Sequence, residues 1–310
     1  MVFVLRQPPP MSFSLKHVHG QHAIIKKVLL RIAAVISLLT VLLLLQHAYK
    51  RERIPALPPS TGISAHDGDG NSWPPPGDKV VVVPKMTYED TDWLDPDLPD
   101  WQHAVYHMDD ESAAFHVPKN KGREAMAYLT YLIDHYSHLP STIAFIHSHR
   151  DGYPQAWHTD ADDYSIVNVL QNLQIQYVQE QGYVNLRCIH DPGCPAEIQP
   201  FREPYEEHRS AEHEFPEAWK YMFGKESSVP PRVGVACCSQ FAVSRNQVLK
   251  RTLEEYKRFR EWILQTDLGD DISGRIMEYL WHIIFGREPV FCPDMHECYC
   301  RTFGKCKHTK

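Results

Sequence analysis

The apolar positions of this chain fall into two regimes. From Val28 to Leu45 the run VLLRIAAVISLLTVLLLL is apolar on every side, with Arg31 its only charge. One buried helix face or one strand needs far less than this. At 1.5 Å per residue the run spans about 27 Å, close to the hydrocarbon thickness of a thin bilayer. It predicts a transmembrane helix over residues 28–47, preceded by a short cytosolic tail, residues 1–27. Arg31, one turn inside, can extend its charge back to the headgroups. A cleaved signal peptide is the rival. The run is long for that role, and Leu45-Gln46-His47-Ala48 lacks the small residues of a cleavage site, which favours an uncleaved signal anchor. Residues 48–79 then lose all periodicity. Leu57-Pro58-Pro59 and Trp73-Pro74-Pro75-Pro76-Gly77 mark a flexible, semi-extended stalk.

In the second regime, residues 80–310, strand and helix patterns alternate. Val80–Val83 is a continuous apolar run suited to a strand buried on both faces, and His103–His107 reads as another strand. Ala125, Leu129, Leu132, Ile133 and Tyr136 recur at helical spacing over residues 122–137, and Pro140 stops that helix. Thr142–Ile146 follows as a strand, then a helix over Tyr164–Val178. Strands are predicted at Val184–Cys188 and Val233–Val243, and long helices at Gln247–Gln265 and Ser273–Phe285. Strands separated by helices of this length predict an α/β domain built on a single mostly parallel sheet flanked by helices.

Charge and cysteine add a compartment. The formal charge is -7 with a pI near 6.2, which argues against broad nucleic-acid binding. Basic residues flank the apolar run almost equally: Lys26, Lys27 and Arg31 on one side, Lys50, Arg51 and Arg53 on the other. The positive-inside rule therefore decides nothing. All eight cysteines follow the run, which suggests disulfides and a luminal domain in the secretory pathway, Golgi or endoplasmic reticulum. Cys188 and Cys194 bracket the turn Asp191-Pro192-Gly193 and are expected to bridge. Cys292, Cys298, Cys300 and Cys306 are expected to form two further bridges. Cys237 and Cys238 are expected to stay free, since neighbours on a strand point to opposite faces. Reduced thiols are one alternative. Zinc is the other, with His296 and His308 nearby, although no CxxC pair is present.

Four places carry candidate chemistry. Asn120-Lys121-Gly122-Arg123-Glu124 opens a helix, whose amino end attracts anions; Gly122 permits close approach, and Lys121 and Arg123 add charge suited to phosphate. Plain capping by Asn120, with Glu124 favouring the dipole, would also explain the motif. His147, His149 and Arg150 end the Thr142–Ile146 strand, where open α/β sheets bind ligands. His147 and His149 share one side of an extended chain. With His158, or an acid among Asp160, Asp162 and Asp163, they could hold a divalent metal such as manganese, although solvated histidines are the plainer account. Cys237-Cys238-Ser239-Gln240 is polar for a buried strand and suits a pocket wall or simple packing. Glu278 and His282 stand four apart on a helix, placed either for acid–base work or for ordinary amphipathic packing.

The motifs NKGREAMAYLTYLIDHY, FIHSHR with AWH, GYVNLRC with GCP, CSQFAVSR and SGRIMEYLWHIIFG resemble a mainly fungal family known as domain of unknown function 3431, from about Trp93 to Cys306. A fainter similarity reaches rhamnan-synthesis-type glycosyltransferases and the acceptor half of GT-A-type enzymes. That similarity implies a GT-A-like fold in which Asn120, Gly122, Arg123 and His147 border a nucleotide-sugar site and Glu278 faces the acceptor. The sequence departs from the pattern in having no DxD at the end of the Thr142–Ile146 strand. Asp109-Asp110 and Asp160-Ala161-Asp162 are substitutes, with Asp162 a second candidate base. The resulting expectation is a membrane-anchored luminal glycosyltransferase-like domain, its partners the bilayer, a nucleotide sugar and a glycan acceptor. A non-catalytic glycan- or small-ligand-binding domain is the alternative. A metal-dependent hydrolase or oxidase on the three histidines is the third class.

Overall fold

The valine run becomes strand β1 (Lys79–Lys85), an interior strand of a five-stranded sheet. The computed structural model describes residues 78–306, with Ser37 and Thr40, so the expected membrane helix and nearly all of the stalk lie outside the described residues. Among the described residues no helix is long and apolar enough to cross a membrane. The other strands of this sheet are β2 (Gln102–His107), β3 (Thr142–Phe145), β4 (Tyr183–Asn185) and β6 (Phe241–Ser244), in the order β2-β1-β3-β6-β4. Strand β5 (Gly234–Val235) pairs in parallel with β7 (Val290–Phe291) in a separate two-stranded ribbon.

β1 runs parallel to β2 and to β3, whereas β6 is antiparallel to both its neighbours, β3 and β4. The sheet is therefore mixed. Four strands point one way and β6 is inserted against them, so the expected parallel character holds only for the β2-β1-β3 half.

Both faces of the sheet are covered, which is why β1 reads as an unbroken apolar run. Val80 and Val82 pack with Ile143, Phe145 and Val243 beneath α1 (Glu124–Asp134), α3 (Leu253–Gln265) and α4 (Asp270–Glu278). Val81 and Val83 face the other way, toward Ala144, Val184 and the helices Ile166–Asn172 and Ile175–Gln181. Each such fully buried side chain contributes about 1.5–3 kcal/mol. Helix α1 is central enough that every residue from Ala125 to Leu132 is buried, not just one stripe. Helices α2 (Ser210–Phe223) and α5 (Met295–Phe303) complete the longer elements.

Several predicted elements are broken in two. Thr252 starts α3 with a reciprocal capping box to Glu255, separating it from the short helix Arg245–Val248. The predicted helix over 273–285 ends at Glu278 and resumes at Trp281–Ile284. The predicted strand Val233–Val243 divides into β5 and β6 because Cys238 and Ser239, between them, take positive φ of 90° and 53°.

The disulfides also differ from expectation. Cys188 bonds Cys298 and Cys194 bonds Cys292, so two long-range bridges fasten the C-terminal segment to the loop after β4. The expected Cys188–Cys194 bridge does not form. The turn between those residues is pressed onto β5, where a Cβ at Gly193 would lie 2.0 Å from the Val235 carbonyl oxygen. Cys300 pairs with Cys306, and Cys237 with its neighbour Cys238, correcting the expectation that these last two are free. A tight turn replaces the extended strand on which neighbouring side chains would have diverged.

Candidate functional site

The chain leaves β1 for β2 on one side and returns to β3 on the other, so the loops beyond their carboxyl ends diverge, as they do around the ligand crevice of open α/β sheets. That is the topological switch point where open α/β sheets bind ligands. Four separately predicted segments meet there: the start of α1, the end of β3, the Cys237–Gln240 turn and the last turn of α4.

At the start of α1, Gly122 and Arg123 have φ of 69° and 53°. Gly122 is required: a Cβ would sit 2.5 Å from Ile263 Cγ2. Its N–H donates to Asp270 Oδ1 at 2.8 Å, and the Lys121 ammonium bonds the Thr266 carbonyl. Lys121 and Gly122 thus tie the start of α1 to Thr266 and to Asp270, the first residue of α4, contacts that engage one Lys121 donor and the Gly122 N–H. Asn120 does not cap the helix. The N-cap is Arg123, with no side-chain cap, and the Asn120 amide lies 3.7 Å from Met86 Sδ. Arg123 itself is exposed and has no ion-pair or hydrogen-bond partner among the described residues. Its side chain lies over Gly274, where an added Cβ would be 2.9 Å from Arg123 Cδ. Burial pushes the neighbouring Glu124 carboxyl above its ordinary range.

Gly274 stands one turn before Glu278 on α4, so Arg123 and Glu278 share that helix face. One Glu278 oxygen accepts from the Cys238 N–H at 2.7 Å, and the other from Arg275 Nη1 at 3.0 Å. Arg275 is also held by Glu197, at 2.6 Å. Burial pushes the Glu278 carboxyl up; Arg275 opposes this and Glu124 reinforces it. The i,i+4 pairing of Glu278 with His282 does not occur. The helix breaks between them, and His282 Nε2 bonds the Pro289 carbonyl at 3.0 Å.

At the end of β3, His147 Nδ1 and His158 Nε2 lie 2.5 Å apart, and the Gln240 amide oxygen accepts the His147 backbone N–H at 3.2 Å. Burial lowers His147 to about 3 and His158 to about 2, and the other imidazoles in this group add to the effect. Two neutral rings sharing one proton are therefore the state at physiological pH. His149 turns aside: its Nδ1 is 3.7 Å from Glu89 Oε1, and its ring centre is 5.9 Å from that of His158. Among the described residues, three ligand atoms lie within 4.8 Å of one another only at Cys237, Cys238 and Glu278. The two sulfurs there are bonded to each other, so they offer no thiolate.

Asp162 is exposed in a one-turn 3-10 helix, Asp162–Tyr164. Asp160 is structural, accepting from the Cys188 and Ile189 N–H groups at 2.8 and 3.0 Å and from the Tyr299 hydroxyl at 2.7 Å. The aspartates proposed to replace a DxD are also engaged locally, Asp109 by Thr87 and Asp110 by Ser112. Glu89, Glu197 and Arg275 were not among the residues expected from sequence. Only Arg275, three residues before Glu278 on one helix, carried a local signal.

The chain belongs to the family described as Protein of unknown function (DUF3431), whose model matches residues 81–301. No curated protein and no solved structure matches it.

Proposed function

We propose that the crevice is a sugar-transfer site of a glycosyltransferase-like domain, with Arg123 receiving the diphosphate of a nucleotide sugar and Glu278 facing the acceptor. One observation carries this reading: the side chain of Arg123, whose guanidinium has no ion-pair or hydrogen-bond partner among the described residues, packs its methylenes over Gly274, one helical turn before Glu278. Transfer needs a cation where charge leaves and a base where a hydroxyl attacks, within one substrate's reach. Glu278 takes the acceptor proton, the acceptor oxygen bonds the anomeric carbon, and the bond to the diphosphate breaks with its electrons. Arg123 stabilises the departing charge. The raised carboxyl makes Glu278 a stronger base once ionised. We place the domain on the luminal side of its anchor because its eight cysteines are all paired.

Glycan binding without transfer is the second reading. It is favoured by the engagement of both Glu278 oxygens, and by exposed rings at Trp157, beside His158, and at Tyr153 and Tyr164, which lie against each other.

Isothermal titration of the full-length protein against a nucleotide-sugar panel separates the two. Arg123→Ala removes a charge-assisted hydrogen bond, so affinity should fall roughly 10- to 150-fold, and Arg123→Lys should recover part of it. Glu278→Gln should keep binding and slow transfer by about 100-fold or more. A folded wild type that binds no nucleotide sugar refutes the transferase reading.

A further inference from the structure

A second cavity, of about 190 Å³, lies between edge strand β4 and the C-terminal segment that Cys188–Cys298 and Cys194–Cys292 tie down. Two arginines line it, Arg187 and Arg287. Arg187 is only 7% exposed. Its Nη1 donates to the His158 carbonyl and its Nη2 to the Asp191 carbonyl, both at 3.1 Å. Arg287 Nη2 donates to the Gln181 and Tyr183 carbonyls, both at 2.8 Å, and its guanidinium sits 4.8 Å over the Phe291 ring. Both Nε atoms are buried and lack an acceptor among the described residues.

Neither arginine has a carboxylate within ion-pair distance among the described residues. Three other half-buried arginines are neutralised: Arg202 by Glu212, Arg251 by Glu255 and Arg275 by Glu278. Carbonyl contacts alone do not require a charge, since a neutral amide donates equally well, and a desolvated cation with no counter-ion is costly. Burial lowers the Arg287 pKa, as expected for a charge without compensation. Glu297, the carboxylate that lines the cavity, is itself exposed and so stands at its rim.

We propose that this cavity binds a small tetrahedral oxyanion, of phosphate or sulfate type, between Arg187 and Arg287. Such an anion supplies the missing countercharge and several acceptor lone pairs for forked donors. The volume falls below the roughly 300–1,000 Å³ of pockets that enclose drug-sized ligands, so a nucleotide is excluded and a single anionic group fits. The site is separate from the crevice, and it stands or falls independently of sugar transfer.

The test is calorimetry and thermal melting of the full-length protein with inorganic phosphate, inorganic sulfate and a hexose 6-phosphate, each against chloride at matched ionic strength. Phosphate or sulfate should bind and raise the melting temperature where chloride does not. Arg287→Gln should weaken binding at least about tenfold. Should that variant fail to fold, the exposed Glu297 carries the test. Glu297→Gln should tighten binding about threefold and Glu297→Lys about tenfold, by removing and then reversing the charge at the rim. Tighter binding of the hexose phosphate than of either free ion assigns the same oxyanion site to an esterified group. Equal stabilisation by chloride and phosphate, or an affinity indifferent to Glu297→Lys, overturns the proposal.

Discussion

Acid should destabilise this domain through histidines buried in the neutral form, and His282 allows the effect to be measured at one residue. Its side chain is fully buried, and burial lowers its pKa to about 4. The Pro289 carbonyl can only accept, so Nε2 carries the proton and Nδ1 is the bare nitrogen, with no donor facing it. Protonating Nδ1 would place a charge where no acceptor waits. Unfolded histidine titrates near pH 6.5, above the folded value, so the stability held by the neutral ring is present above that pH. It is lost as the pH falls toward the folded pKa. With those two values, His282 forfeits about 1.4 kcal/mol at pH 5.5 and about 2 kcal/mol at pH 5. His135, also fully buried and lowered to about 4, forfeits a similar amount. Glu124 and Glu278 work in the opposite sense, since their raised carboxyls favour the folded state as pH falls. Comparison with His282→Gln cancels them, because glutamine keeps a donor near the Nε2 position but cannot titrate. Urea midpoints at pH 7.5, 6.5 and 5.5 should show the wild type losing about 1.4 kcal/mol more than the variant across that range. Parallel pH profiles for the two proteins would refute the reasoning.

Further predictions concern the disulfides and the crevice. The Cys188–Cys298 bridge spans a sequence separation of 110 and the Cys300–Cys306 bridge only 6. Replacing each pair by alanine should therefore cost about 5 and about 2 kcal/mol in chemical denaturation, and the reverse order would contradict the loop-closure argument. Gly274→Ala should hold or raise the melting temperature, since alanine in a helix interior is better than glycine by about 0.5–1 kcal/mol. The same substitution displaces Arg123, whose Cδ lies 2.9 Å from the new Cβ, and should weaken nucleotide-sugar binding. Unchanged affinity in that variant would mean that Arg123 does not bind from this position.

The sequence was legible wherever one physical rule acted alone. The four valines of β1 announced a strand covered on both faces, and the apolar spacing of α1 announced a helix, because burial decides both elements. Legibility failed where a single backbone angle or a distant partner decided the outcome. The polarity of Cys237-Cys238-Ser239-Gln240 hinted at a break within residues 233–243, but residue type does not encode the positive φ of Cys238 and Ser239, so a turn looked like a strand. Cys188 and Cys194 looked like partners because they are close in sequence. Their true partners lie at sequence separations of 110 and 98, a pairing that only the packing of the C-terminal segment fixes. The site was half visible for the same reason. Arg123, His147 and Glu278 were each identifiable by residue type, but their convergence depends on the order in which β2, β1 and β3 lie.

The surroundings of Arg123 and Glu278 divide the work between them. Glu278 is anchored through both oxygens, by an N–H from the turn and by Arg275, so its position is fixed before any ligand arrives. Fixed placement suits a base, which must meet a proton at one point, and each oxygen retains a lone pair for that purpose. Arg123 packs its methylenes on Gly274, and its guanidinium has no ion-pair or hydrogen-bond partner among the described residues. An uncommitted fork suits a ligand that must enter and leave. Lys121 and Gly122 are already engaged, by the Thr266 carbonyl and the Asp270 carboxylate. Within this cluster Arg275 is likewise consumed, by Glu278 and Glu197. On the proposed reading, the charge that receives an incoming diphosphate is that of Arg123. Loss of binding on its removal, with the Glu278 anchor left whole, is the outcome this division of labour requires.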